Sequence, residues 1–250
     1  MADYNYIEGK KRIIDILESQ NETTQSDSIP LESAFSYDNG YYGYVTAVFV
    51  DIRNSLKLFN NDSIRKTTRA KIIRSFTSEV IEILRKNENL RDIGIRGDCV
   101  FAIYTTPNYQ DDYEVFDAVV YVNTFRKMLN SLLKKKGLEP IEFGIGVATG
   151  NDLVVKAGRN GTGINDLIWI GKAVTYASRF SSFANKNGNS PIIVSDLFFE
   201  NLSKAISKSN IYQNKLEWFS NFRYDGFEGK QCDIIKTKMN EWILNGMKDE

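Results

Sequence analysis

The stretch Tyr44-Val45-Thr46-Ala47-Val48-Phe49-Val50-Asp51-Ile52-Arg53-Asn54-Ser55 constrains the fold more than any other. It is a run of β-branched and aromatic residues, which favour a half-buried or buried strand, and it ends in a carboxylate. A carboxylate at the end of a buried strand is costly unless a cation balances it. A comparable place occurs at Arg96-Gly97-Asp98-Cys99-Val100-Phe101-Ala102, where an Asp sits in a glycine turn between two apolar strands. Taken alone, Asp51 reads as a helix N-cap and Asp98 as a turn residue. Two carboxylates at strand ends together point to a divalent-metal site of the kind used in phosphate chemistry.

Composition narrows that chemistry. The 250 residues include no histidine, which excludes Ser-His-Asp and Cys-His catalysis and the usual zinc sites. The 32 basic and 32 acidic residues cancel, so no general affinity for nucleic acid or anionic membrane is expected. No apolar run approaches the roughly 18 residues of a spanning helix, and no signal-peptide core opens the chain. Cys99 and Cys232 sit in strand-like patterns without a motif. Together these imply a reducing, cytoplasmic location.

Along the chain, 4–19 reads as an amphipathic helix with Ile7, Ile13, Ile14, Ile16 and Leu17 on its apolar side, a packing or dimer-contact arm. Residues 20–40 are mostly polar, contain Pro30 and Gly40, and read as a linker. A strand over 43–51 precedes a long helix over 64–86, with Ile73, Phe76, Val80 and Ile83 as its buried stripe. Residues 90–96 and 99–104 form a hairpin around Gly97-Asp98. A helix over 112–136 buries Val115, Val119, Val122, Leu129 and Leu132 and stops at Gly137. Strands over 141–149 and 152–156 are joined by a turn at Thr149-Gly150-Asn151. The glycine-rich segment 158–163 has no Lys-Ser/Thr and precedes a strand rather than a helix, so it reads as a flexible loop and not a phosphate cradle. A strand over 167–170, a helix over 172–185, a strand over 191–194, a helix over 195–207 and terminal strands over about 211–238, turning at Asp225-Gly226, complete the chain. The predicted organisation is an N-terminal helix and linker (1–40), one α+β domain (41–240) and a tail (241–250). The β-α-β-β-α-β order is the ferredoxin-like or palm arrangement, a mostly antiparallel sheet flanked by helices. It would bring Asp51 and Asp98 together.

The two Asp segments, with Phe143-Gly144-Ile145-Gly146-Val147-Ala148-Thr149-Gly150 and the helix Gly171-Lys172-Ala173-Val174-Thr175-Tyr176-Ala177-Ser178-Arg179-Phe180, resemble the class III nucleotide cyclases over about 43–237. The resemblance implies two divalent ions, Mn²⁺ in preference to Mg²⁺, held by Asp51, the Ile52 carbonyl and Asp98. It implies a nucleoside triphosphate substrate and Arg179 as the group that stabilises the transition state. Thr175 stands where the family usually has an Asn that orients the ribose, and its hydroxyl has a shorter reach and fewer donors. The resemblance further implies a homodimer in which the metal Asp pair and the Arg come from different subunits. Diguanylate cyclases share the palm, but Arg96-Gly97-Asp98-Cys99-Val100 lacks their second acidic residue.

Purine members of the family select their base with side chains at positions that here hold Gly94 and Ile168, neither of which can hydrogen-bond a purine edge. By strand alternation Arg96 shares the face of Gly94, and Phe49 that of Asp51. Phe49 could stack on a base and Arg96 could donate to one. This loss of both selectors resembles the bacterial Pycsar antiphage cyclases. It implies cyclic UMP from UTP, or cyclic CMP from CTP, as a messenger for an effector activated by the cyclic nucleotide. A purine cyclase with unusual base contacts and a catalytically degenerate nucleotide-binding regulator are the alternatives. The family's phosphate-binding Lys has no counterpart at Asp225, and Lys230 is the nearby candidate.

Overall fold

The computed structural model describes residues 3–55, 65–208 and 213–248. The expected start of the long helix at 64 therefore lies outside the described residues, as do 211–212 of the terminal segment. The elements run α1 (Tyr6–Glu18), β1 (Glu22–Gln25), β2 (Asn39–Ile52), α2 (Lys66–Leu84), β3 (Leu90–Arg96), β4 (Cys99–Thr105), α3 (Tyr109–Lys135), β5 (Phe143–Arg159), β6 (Ile164–Ile170), α4 (Lys172–Phe183), β7 (Ile192–Val194), α5 (Asp196–Lys208), β8 (Ser220–Tyr224), β9 (Phe227–Cys232) and α6 (Thr237–Leu244).

The strands form one sheet in the order β3-β4-β2-β5-β7-β9-β8, with β1 added to β2 and β6 to β5. β3-β4-β2-β5 is antiparallel throughout, as the ferredoxin-like arrangement requires. Among the described residues only β1–β2 and β5–β7 pair in parallel. The class is α+β, with a mostly antiparallel sheet flanked by helices, as expected from sequence.

Two halves of β5 explain how the layers form. It is one continuous strand, not two strands with a turn at Thr149-Gly150-Asn151. Gly144, Gly146, Ala148 and Gly150 alternate onto one face. On that face α4 comes so close that a Cβ on Gly146 would lie 2.0 Å from the Ala177 carbonyl oxygen, and one on Gly144 2.5 Å from that of Ala184. Gly150 thus serves helix packing rather than a turn. On the opposite face Phe143, Ile145 and Val147 enter the main core with Val48, Val50, Phe76 and Phe125. Of the loop expected at 158–163, Gly158 and Arg159 belong to β5, paired with Asn165 and Ile164, and only 160–163 form the tip of the β5–β6 hairpin.

The helical stripes hold as expected at Phe76, Val80, Val115, Val119, Val122 and Leu129 and slip by one residue at their ends. α2 buries Ile72, Phe76, Val80 and Leu84, leaving Ile73 and Ile83 at the margin. α3 buries Leu133 and exposes Leu132. In the segment read as a linker, β1 pairs with the start of β2, and Ile29 and Phe35 are buried against Val45, Ala47 and Ile103. α1 is capped by Asn5, whose side chain accepts from the Ile7 and Glu8 amides, and its apolar Ile7, Ile13, Ile16 and Leu17 are exposed. No helix among the described residues is long and apolar enough to cross a membrane.

Candidate active site

Asp51 and Asp98 meet at one end of the sheet. β2–β4 register sets Asp51 opposite Cys99, beside the hairpin turn in which Gly97 takes φ +64°. Glycine adopts that conformation without a Cβ clash. Burial, and more weakly the charge of Asp98, raise the Asp51 pKa, while Arg53 opposes both. Arg53 Nη2 stands 3.3 Å from Asp51 Oδ2. The same guanidinium donates to the carbonyls of Ser181 and Ser182, the latter at 3.1 Å, at the C-terminal end of α4. A cation is favourable there because the last helical carbonyls carry partial negative charge. Cys99, pushed up to about 12 chiefly by burial, remains a thiol.

The donors at this end fit a hard divalent cation. They are carboxylate oxygens, with the Ile52 backbone beside them and the Ile52 side chain buried in the core. No group of three or more His, Cys, Asp or Glu side chains suited to a metal occurs among the described residues. Two carboxylates completed by substrate phosphates and water is the usual way Mg²⁺-like ions are bound in phosphate chemistry.

Five of the remaining candidates converge on a separate cleft of about 440 Å³. Phe49, Arg96, Ile168, Thr175 and Arg179 all line it, whereas Asp51 and Asp98 do not. Phe101 is the residue that sequence reading missed. Gly94, Phe101, Phe49 and Gly146 lie side by side across β3, β4, β2 and β5. A Cβ on Gly94 would come 2.7 Å from the Phe101 ring. That ring stacks on Phe49 at 5.7 Å between centroids, and the Arg96 guanidinium lies 5.4 Å from its centre. The far wall is Trp169, whose indole N–H donates to Asp92 Oδ2 at 2.9 Å. Burial raises the Asp92 pKa and this hydrogen bond opposes the rise.

Thr175 and Arg179 are one turn apart on the exposed side of α4. The Thr175 hydroxyl donates to the Gly171 carbonyl at 2.8 Å, so toward the cleft it offers an acceptor. Lys230 is not brought to the cleft. It is opposite Val194, on the face of the main core, where it donates to Asn221 Oδ1 at 2.6 Å and lies over Phe199. A larger groove of about 990 Å³ runs between α2 and α3, but Glu79, Glu82, Glu114 and Asp117 line it and none of the site residues do. Its acidic walls disfavour a polyphosphate.

A ferredoxin-like sheet with paired carboxylates at one strand end, and an Arg-bearing helix over its glycine face, is the layout of a nucleotide cyclase domain. Residues 38–222 match the adenylate and guanylate cyclase catalytic domain, and the chain belongs to that family. Members act on nucleoside triphosphates, generally use divalent metal ions and commonly dimerise. Among particular relatives, it is 47% identical to a uridylate cyclase of Treponema porcinum over 98% of this chain and 83% of that protein. It is 32% identical to a uridylate cyclase of Gulbenkiania mobilis, over 85% and 86% of the two chains. In fold it is similar to the adenylyl cyclase CyaB of P. aeruginosa, with a TM-score of 0.61 at 20% identity over 77% of this chain and 94% of that one.

Proposed function

We propose that this chain is a pyrimidine nucleotide cyclase that converts UTP to 3′,5′-cyclic UMP and pyrophosphate, with CTP the next candidate substrate. The observation that carries the reading is the 47% identity to a uridylate cyclase across nearly the whole chain. The cleft agrees with it. Phe101 fills the space in which a purine-selecting side chain at Gly94 would stand. That leaves Phe49 to stack on a smaller base, Arg96 to donate to a pyrimidine carbonyl, and Ile168 as an apolar wall.

Asp51, Asp98 and the Ile52 carbonyl would hold two divalent ions, Mn²⁺ or Mg²⁺. When bound, such ions make the ribose 3′-hydroxyl more acidic and neutralise phosphate charge. The protein's own contribution is positioning and charge stabilisation. The 3′-oxygen bonds to the α-phosphorus, the bond to the β-phosphate oxygen breaks, pyrophosphate leaves, and the hydroxyl proton passes to solvent. Arg179 stabilises charge on the five-coordinate phosphorus. Thr175 accepts from a ribose hydroxyl. Lys230 has no part in this proposal.

Because the carboxylates and the Arg179 cleft are separate half-sites on one chain, the working unit in this reading is a homodimer with two interfacial sites. The exposed apolar side of α1 suits a contact arm in that dimer. A catalytic domain of about 41–240, with β1, Ile29 and Phe35 of the N-terminal segment packed onto it, belongs to the same reading. So does a cytoplasmic antiphage role, in which the cyclic nucleotide activates an effector. Incubation with UTP and Mn²⁺, followed by mass identification of the product, tests the activity. Cyclic UMP that disappears in Asp51→Asn supports it, and no cyclic product from any nucleotide refutes it.

A further inference from the structure

α4 carries the groups that face the cleft, and its bulky packing is concentrated at the C-terminal end, where Phe180 and Phe183 meet Phe222 and Phe227. Before Phe180 its fully buried residues are only Ala173 and Ala177, and these first turns lie on the glycine face of β5. Small residues permit close approach but give few interlocking ridges to resist sliding. Its own N-cap residue, Gly171, has no side chain with which to hold the first amides.

Asp152 supplies that hold from β5. Its carboxylate is fully buried. Oδ1 accepts the Ala173 amide and Oδ2 the Val174 amide, each at 3.1 Å. Burial raises its pKa, and the amides of Ala173, Val174 and Lys172 oppose the rise. Among the described residues no Lys or Arg pairs with it, so its charge is balanced by the positive end of α4. Gly171 makes this possible, because a Cβ there would stand 2.0 Å from Asp152 Oδ1. Arg53 holds the carbonyls at the other end of the helix.

We propose that Asp152 is a positioning residue for cyclisation, fixing the N-terminal end of α4 and so, with the aromatic anchor at the other end, the setting of the helix that carries the Arg179 guanidinium. This rests on the reading of Arg179 as the transition-state group. Arg179 is six residues beyond Ala173, about 9 Å along the helix, and beside Phe180, so when the N-terminal hold is lost the helix is left to pivot about its aromatic contacts and carries Arg179 with it. Misplacement by about 1 Å is enough to cost up to ~100-fold in rate.

A double-mutant cycle tests this, with kcat and KM for UTP measured for Asp152→Asn, Arg179→Lys and both together. Asn keeps the shape but offers one acceptor and sets an NH₂ group against the second amide. The expected result is a kcat about tenfold lower in Asp152→Asn with KM within about twofold, and less than about twofold further loss when it is added to Arg179→Lys. Gly171→Ala, which displaces the same carboxylate from the helix side, gives the same pattern and serves if Asp152→Asn does not fold. Additive losses, or a loss confined to KM, overturn the proposal. A kcat unaffected by Arg179→Lys alone overturns the reading beneath it, and the proposal with it.

Discussion

The Phe101 ring occupies the space above Gly94, the two residues standing opposite each other across the β3–β4 hairpin. Phe101 is buried and supported by Phe49 below and Arg96 above. Phe101→Ala is expected to lower stability by about 3 kcal/mol, the usual cost of removing a buried aromatic ring. It should also enlarge the cleft and reduce the preference for UTP over ATP by about tenfold. Steady-state kinetics with both nucleotides, alongside urea unfolding, check the two effects separately.

Arg53 ties the carboxylate end of β2 to the carbonyl end of α4. Arg53→Gln removes hydrogen bonds to Ser181 and Ser182 and leaves Asp51 without its nearest countercharge. The metal-free melting temperature should fall by about 4–8 °C, for a loss of about 2 kcal/mol. Added Mn²⁺ should raise it more in the variant than in the wild type, since the ion no longer competes with a guanidinium. Equal increments in the two proteins would contradict this.

Asp112 makes stability pH-dependent. It is fully buried, accepts from Thr46, from Thr149 at 2.9 Å and from Asn201 at 2.7 Å, and its pKa is raised to about 6 chiefly by burial. The nearby charge of Asp111 adds to the rise. Its folded pKa lies above its unfolded value, so between about pH 4 and 6 the folded state binds the proton more tightly. This group therefore destabilises the fold as pH rises through that window, by up to about 3 kcal/mol, and has no further effect above it. Urea unfolding at pH 4.5 and 7 should show that contribution, and Asp112→Asn should remove it.

The half-sites predict complementation. Asp51→Asn and Arg179→Ala homodimers should each be nearly inactive. Mixed after subunit exchange, they should recover about a quarter of wild-type activity, because about half the dimers then hold one intact site of two. Failure to recover any activity, with subunit exchange demonstrated, contradicts interfacial sites.

Much of the site was legible because its signals are local. A strand ending in Asp51 and a glycine turn before Asp98 need no knowledge of the rest of the chain. The Phe101–Gly94 relationship was also within reach. A two-residue turn at 97–98 pairs Arg96 with Cys99 and, two rungs on, Gly94 with Phe101. Other relationships have no local signal. Arg53 meets carbonyls 128 and 129 residues away, and Asp152 caps a helix 21 residues further on. Thr149-Gly150-Asn151 has the composition of a turn, but a helix lying above the strand requires the glycine. That Lys230 lies away from the cleft follows from the β7–β9 register, which sets the face it occupies.

The most direct measurement is a competition in which the purified protein receives equal concentrations of UTP, CTP, ATP and GTP with Mn²⁺, and the cyclic products are quantified by mass. Cyclic UMP is the expected major product, with cyclic CMP next and the purine products minor. Cyclic AMP or cyclic GMP in excess of both pyrimidine products would contradict the assignment of the Phe49–Phe101–Arg96 cleft to a pyrimidine.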